Sequence, residues 1–483
     1  MIDLRPVFYV IGRILIVLAI LMVAPALVDW RAGNPNGFDI ARAAMITGFV
    51  GVAMALATGN ALGTSLDVRQ AYLLTAGIWT IVPAFAAIPF VIGAPGLRLS
   101  HAYFEAVSGL TTTGATVIVG LDTMPAGMNL WRGMLNWTGG LGIAFIAMIF
   151  LPLMRVGGMQ FFRTEGFDTF GKALPRATDI ARQLLFVYLG LTMAAITVFA
   201  MLGQSPLGAV VHGMSAVSTG GFSPFDASFT GLTWLNEYFG TMFMFLGSLP
   251  FVRYVQMVNG LPAAVWRDPQ VRGYFRWLMG SVLIVTVWRW STSDMALEPA
   301  FRESLFNLTS IMSSTGTFSG SFPSWGGLML VVAFVLGTVG ACSGSTASGL
   351  SVFRMQIAMK ILRQQVLRIL RPSAIHPVKY DGRSVDEDVI HAIIMFVSSY
   401  ILILGVLGVA ISLLGVDLES SVFAVWTTLG NVGYGFGPLV AAGQGTFRAF
   451  PEGAIWIMTL AMILGRLGLL AILVLLLPAF WRR

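Results

Sequence analysis

Leu110-Thr111-Thr112-Thr113-Gly114-Ala115-Thr116 comes back three more times in altered form. Val217-Ser218-Thr219-Gly220-Gly221-Phe222 is the second copy, Ser313-Ser314-Thr315-Gly316-Thr317-Phe318 the third, and Asn431-Val432-Gly433-Tyr434-Gly435-Phe436 the fourth. The steps are roughly 100 residues each, the pattern expected of four repeats of one membrane unit closing around an axis. Every copy has the same surroundings: an apolar span, a short helix-prone segment, hydroxyl residues leading into a glycine, a polar connection and a second apolar span. In the first repeat these are 72–92, 101–110, the Thr-Gly turn and 130–151. A segment of about ten residues is too short to cross a hydrocarbon core that needs roughly 20 helical residues, so it is expected to dip in and return. Irregular backbone at membrane depth survives only where it is buried or lines a wet cavity. Four such turns meeting at an axis would aim their carbonyls into one passage, where they can replace the hydration shell of a small cation.

Composition supports that setting. The chain has 483 residues, 56% hydrophobic and only 11% charged, with a mean hydropathy of +0.81, which excludes an ordinary soluble domain. The fold class expected is an all-α polytopic membrane protein. One cysteine, Cys342, excludes an internal disulfide framework and a multi-cysteine zinc site. Four scattered histidines fit no HExxH spacing. The net charge of +7 does not point to nucleic acid, because the basic residues sit in short loops between spans, where they fix topology. No hydrophilic segment is long enough for a catalytic or nucleotide-binding domain, so no enzyme activity and no organic cofactor are expected on this chain.

Residues 1–70 hold two leading spans, about 7–28 and 40–61, and the first is read as a retained helix and not a cleaved signal peptide. The repeats occupy 71–183, 184–276, 277–388 and 389–483. Their paired spans fall at about 72–92 and 130–152, 184–203 and 236–257, 277–293 and 326–353, and 389–414 and 453–477. Ten crossings place both termini on one side. Basic residues crowd the connections after repeats one to three, among them Arg182, Arg267, Arg272, Arg276, Arg363, Arg368 and Arg371. The opposite loops hold few, chiefly Arg31, Arg98, Arg132, Arg302 and Arg448, so the termini are expected in the cytoplasm. Outer acids such as Glu105, Asp226, Glu303 and Asp417 are read as mostly solvated or capping groups, and Arg289 as structural.

A lone Thr-Gly turn is commonly a packing glycine; four in register, each behind a short helix, are harder to dismiss. Val432-Gly433-Tyr434-Gly435 also reads like the core of a potassium-channel filter. Gly139-Gly140-Leu141-Gly142-Ile143 and Val156-Gly157-Gly158-Met159-Gln160 close the first repeat, Gly340-Ala341-Cys342-Ser343-Gly344-Ser345-Thr346 lies in the third, and Gly465-Arg466-Leu467 in the last span. On these residues the chain resembles the Trk/Ktr/HKT superfamily of potassium transporters, most of all its bacterial TrkH branch, over nearly its whole length.

The resemblance implies potassium (K+) as the transported ion and Gly114, Gly220, Gly316 and Gly433, each with its preceding Thr113, Thr219, Thr315 or Val432, as the selectivity filter. It implies that 340–349, with Gly340, Cys342, Gly344 and Gly349, is an intramembrane loop obstructing the pore, and that Arg466 projects into the pore and takes part in gating. An arginine so far inside an apolar span is costly and normally faces a polar cavity. Ala347-Ser348-Gly349-Leu350-Ser351 stands where relatives carry a glycine run and a lysine, and Gly468 where they carry an acid. The basic, helix-prone stretch 354–371 is expected to lie along the membrane surface, in contact with lipid. By resemblance it also meets a cytosolic nucleotide-binding, TrkA-like ring and a twofold copy in a homodimer.

The reading is therefore the pore-forming subunit of potassium uptake in the bacterial inner membrane. The alternative is a sodium-selective or proton- or sodium-coupled symporter on the same fold. An intramembrane protease would need paired aspartates or a Ser/His arrangement within the spans, which the sequence lacks. An organic-solute carrier with broken helices would not explain four re-entrant turns.

Overall fold

Helix dominates the computed structural model, which describes residues 2–61, 67–94, 96–149, 177–371, 376–467 and 474–482. The leading helices α1 (Arg5–Arg31) and α2 (Asn36–Ala57) form an antiparallel pair. They approach closely because Gly12 and Gly51 face each other's backbone, the small-residue contact that lets membrane helices touch. The first repeat follows with α3 (Val68–Ala86), the short α4 (Leu99–Leu110) and α5 (Ala126–Ile149). The second has α6 (Ala177–Met201), the short α7 (Pro206–Ser218), α8 (Trp234–Gly247) and α9 (Phe251–Val258). The third has α10 (Pro269–Thr292), the short α11 (Leu297–Met312), α12 (Gly327–Val339) and α13 (Val352–Leu370). A two-residue β-hairpin (Lys379–Tyr380 with Arg383–Ser384) leads to α14 (Glu387–Ser412), the short α15 (Leu418–Leu429) and α16 (Glu452–Leu467).

Local chemistry starts several of these helices. Asp67 and Gln70 form a capping box on α3. Ser205 accepts from Gly208 N–H ahead of Pro206, and Asp268 accepts from Gln270 N–H ahead of Pro269. Such caps are worth about 1 kcal/mol each. Asp29 acts over a longer distance: fully buried, it accepts from Gly127 N–H at 2.6 Å near the start of α5 and from Asn36 Nδ2 at 2.7 Å. The carboxylate thereby sits at a positive helix end, where it is favoured.

Five described helices are long and apolar enough to cross a membrane: α1, α2, α3 with its continuation to Ile92, α6 and α14. They expose apolar side chains outward, among them Ile20, Phe49 and Leu402. The short helices are the opposite. They have 12, 13, 16 and 12 residues, so at about 1.5 Å per residue they reach only ~18–24 Å, and they lie at the centre with most side chains buried. The α4 side chains from Phe104 to Leu110 are all buried.

Two expected spans are interrupted, the second where 340–349 was read as an intramembrane loop and the first where no break was expected. The span at 236–257 is broken between Gly247 and Phe251, because Pro250 has no N–H to donate and clashes with the preceding turn. The groups freed by that break are met by repeat three: Cys342 N–H donates to Ser248 O at 3.3 Å and Phe251 N–H to Gly344 O at 3.0 Å. The span at 326–353 stops at Val339 and resumes at Val352, with irregular backbone between. The expected span 130–152, the Val156 to Gln160 motif and Gly468 lie partly or wholly outside the described residues.

Candidate functional site

The four short helices end alike. Beyond each comes a non-glycine residue in left-handed conformation: Thr112 (φ 52°), Thr219 (φ 49°), Ser314 (φ 55°) and Asn431 (φ 48°). The next residue donates its N–H five positions back into the helix, Thr113 to Ser108 O at 2.8 Å, Gly220 to Ser215 O at 2.9 Å, Thr315 to Ser310 O at 2.8 Å and Val432 to Thr427 O at 2.8 Å. A glycine with positive φ follows: Gly114 (78°), Gly221 (84°), Gly316 (79°) and Gly433 (88°). Left-handed backbone at non-glycine positions costs about 1–2 kcal/mol each, so four equivalent cases mark a constraint imposed by the surroundings.

The glycines close a ring. A Cβ on Gly114 would run into Gly220 O, one on Gly221 into Thr315 O, one on Gly316 into Val432 O and one on Gly433 into Thr113 O. Each turn thus abuts the next in chain order and the fourth returns to the first. This corrects the register in repeat two. The counterpart of Gly114 is Gly221; Gly220 takes the place of Thr113, Thr315 and Val432, and Thr219 that of Thr112. Two adjacent glycines left the choice open to local reading, and the backbone hydrogen bonds resolve it. Because Gly220 has no side chain, Asn136 from α5 occupies the space where its Cβ would stand.

Nine residues before the ring glycine, three of the four short helices carry a group that holds the chain leaving the turn. Glu105 accepts from Thr116 Oγ1 at 2.9 Å and Val117 N–H at 3.1 Å. His212 Nε2 lies 2.9 Å from Ser223 Oγ, and Asn307 Oδ1 accepts from Ser319 N–H at 3.0 Å. In repeat four the position is Ala424, and Ser420 Oγ accepts instead from Leu439 N–H at 3.0 Å. Glu105 is therefore not a solvated outer acid: it is fully buried and paired with Arg132 at 2.9 Å. Arg132 in turn donates to Ser223 O at 3.0 Å and lies over the Phe222 ring, tying repeat one to repeat two. Glu303 is likewise buried against Arg289 at 2.9 Å, giving that arginine the structural place expected of it.

Removing one partner of a buried pair strands the other charge at a cost of about 3–5 kcal/mol. Glu105→Ala is accordingly expected to lower the thermal unfolding midpoint of the detergent-purified protein markedly. An unchanged midpoint would remove the pair from the scaffold.

One side of the ring is covered by the irregular segment between α12 and α13. Thr346 Oγ1 accepts from Thr219 Oγ1 at 3.1 Å and donates to Gly247 O at 3.0 Å. Ser348 N–H donates to Ser314 Oγ at 2.7 Å, and Ser348 Oγ to Asn431 Oδ1 at 3.0 Å. Arg466 completes the set, donating to Thr112 Oγ1 at 2.6 Å, Ser348 Oγ at 2.6 Å and Thr346 O. The four left-handed residues beneath the ring glycines are thus all held by this segment or by Arg466. Among the described residues no carboxylate pairs with Arg466.

The structure brings Arg466 and the segment together as expected, but through Thr346 and Ser348 and not through the glycines. Gly340 and Gly349 cross backbone to backbone, while Gly344 O and the Cys342 N–H serve the break in repeat two. Sequence reasoning missed Thr346, Ser348 and the Thr112, Ser314 and Asn431 side chains. The available signal was a hydroxyl or amide immediately before the residue preceding each ring glycine.

Comparison with known proteins decides the family. A family model described as TrkH, cation transport protein, matches residues 37–482. The chain belongs to the TrkH family. It is a transporter and not an enzyme. Among its TrkH-family relatives, the Trk system potassium uptake protein TrkI of Halomonas elongata is 36% identical over 99% of this chain and 97% of its own length. The potassium uptake protein TrkH of Escherichia coli is 32% identical over 99% of each chain. The crystal structure of the potassium transporter TrkH from Vibrio parahaemolyticus superposes with a TM-score of 0.91 at 28% identity, covering 100% of both chains.

Proposed function

We propose that this TrkH-family chain takes up potassium across the bacterial inner membrane through the ring of turns. The carbonyl oxygens of Thr113, Gly220, Thr315 and Val432, positioned by Gly114, Gly221, Gly316 and Gly433, replace the hydration shell of the ion. The observation that carries this reading is the closed ring in which each of those oxygens abuts the ring glycine of the preceding repeat, and Thr113 O that of the fourth. The names of the relatives, all potassium uptake proteins, agree with it. The repeats 71–183, 184–276, 277–388 and 389–483 each supply one quarter of the ring, and residues 1–70 pack outside it. An inside-negative potential supplies roughly 2.3 kcal/mol per charge per 100 mV.

In this reading the segment 340–349 and Arg466 form the gate, on the cytoplasmic side together with the termini. A cytosolic nucleotide-binding, TrkA-like ring and a homodimer partner act on it from there. The charge bias of the connecting loops supports the orientation.

Reversal potentials of the purified protein in liposomes test the function. A potential that follows the potassium gradient alone is expected. One that follows sodium, or that moves with a proton gradient at fixed potassium, would favour the sodium-selective or coupled symporter. In intact cells an Arg363→Cys variant labelled by an impermeant reagent from outside would reverse the orientation.

A further inference from the structure

The start of α10 and the first two-thirds of α13 enclose an open cavity of about 480 Å³. Arg272 and Arg276 stand one helical turn apart on the α10 wall, and Lys360 and Arg363 on the α13 wall. Arg272 donates to Arg267 O at 3.1 Å and Lys360 to Lys379 O at 2.6 Å, both neutral backbone acceptors. Among the described residues none of the four pairs with a carboxylate, and no Asp or Glu lines the cavity. The apolar part of the lining is Gly273, Trp277 and Met359. Phe275 on α10 and Leu362 and Val366 on α13 are exposed beside it, as lipid-facing residues are.

We propose that this cavity is a binding site for the phosphate of an anionic phospholipid, with the lipid tail against the flanking apolar face. Four uncompensated cations in one recess repel one another and raise a local potential that only an anion relieves. Basic pockets between membrane helices that open at the water boundary hold such headgroups. Trp277 in its lining is of the residue type enriched at membrane–water boundaries. A free phosphate meets the same four cations, but it leaves the exposed apolar rim in water, and this separates the two sources.

The site bears on the gate region. Gln356, in the cavity wall, donates to Pro269 O at 3.0 Å and accepts from Tyr380 Oη at 2.9 Å. The segment that covers the ring enters α13 four residues earlier, at Val352. A headgroup gripped by both walls therefore clamps α10 to the helix that anchors that segment.

The test is thermal unfolding of the full chain in detergent with added phosphatidylglycerol or phosphatidylcholine. Phosphatidylglycerol is expected to raise the parent's midpoint and phosphatidylcholine not. Each arginine near an anionic headgroup is worth about 1 kcal/mol, so the doubly substituted Arg276→Gln/Arg363→Gln chain should bind roughly 30-fold more weakly and lose most of the shift. Both side chains are exposed, so the variant should fold. Arg368→Gln/Arg371→Gln, farther along the same basic stretch, should keep the shift. Mass spectrometry of the intact protein should show about one fewer retained phosphatidylglycerol per chain in the first variant. An equal shift in both variants, or none lost in either, would overturn the site. An equal shift from inorganic phosphate alone would overturn the lipid.

Discussion

Replacing Arg466 by alanine is expected to raise basal potassium flux by at least about tenfold in liposomes without any cytosolic partner. Two effects point the same way. The guanidinium holds the covering segment to the first turn through Thr346 O, Ser348 Oγ and Thr112 Oγ1, and hydrogen bonds from a charged donor contribute about 1.5–3 kcal/mol each. Its charge also opposes a cation: at 4 Å and an effective dielectric of about 20 the repulsion is ~4 kcal/mol. Since 1.4 kcal/mol is a factor of ten, loss of even one of these exceeds tenfold. Preference for potassium over sodium should change little, because the ring glycines and their carbonyls do not touch Arg466. Loss of flux in a folded variant would make the arginine structural, and a collapse of preference would place it in the selective part of the path. Ser348→Ala, which removes one hydroxyl shared by Arg466 and Asn431, should give a smaller rise in the same assay.

The second large effect is expected at Gly221. A methyl group there meets a backbone carbonyl, Thr315 O, in a positive-φ conformation that side chains rarely adopt. Gly221→Ala should therefore reduce the rubidium-to-sodium flux ratio by at least about tenfold, as should Gly114→Ser, since each displaces a neighbour's carbonyl by the strain of 1–2 kcal/mol or more. Gly220→Ala is the instructive contrast. Its Cβ would meet the Asn136 side chain, not a backbone oxygen, and Gly220 lacks a positive φ. A milder loss is expected there, recovered when Asn136→Gly is added. If Gly220→Ala proved as damaging as Gly221→Ala and was not rescued, the register drawn from the ring would be wrong.

How far each of these sites could be read without coordinates depends on the range of the interaction that fixes it. The apolar spans, the short segments between them and the return of the Thr-Gly turn are local patterns, set by hydrocarbon thickness and by what four or five consecutive residues allow. They made the fold class, three of the four ring glycines and the presence of Arg466 near the covering segment legible in the sequence, the last through a family resemblance. Gly220-Gly221 offered two local solutions, and the choice shows in the Gly220 N–H bond back to Ser215 O together with the abutment of Gly221 on Thr315 O from another repeat. Glu105 read as an outer acid because nothing nearby in sequence neutralises it; Arg132, 27 positions on, does so in the fold.

Tertiary structure alone decided which hydroxyls matter. Thr346 meets Thr219, and Arg466 meets Thr112, across separations of 127 and 354 residues, contacts that no periodicity encodes. It also decided that the break after Gly247 is filled by the backbone around Cys342 and Gly344, since unpaired polar groups at that depth must find partners wherever packing brings them. The sequence by itself determined a helical membrane protein with four glycine turns, because burial in lipid and chain geometry act locally. Which atoms close the ring and which cover it followed only from packing the four repeats together, because those hydrogen bonds join segments that the chain keeps far apart.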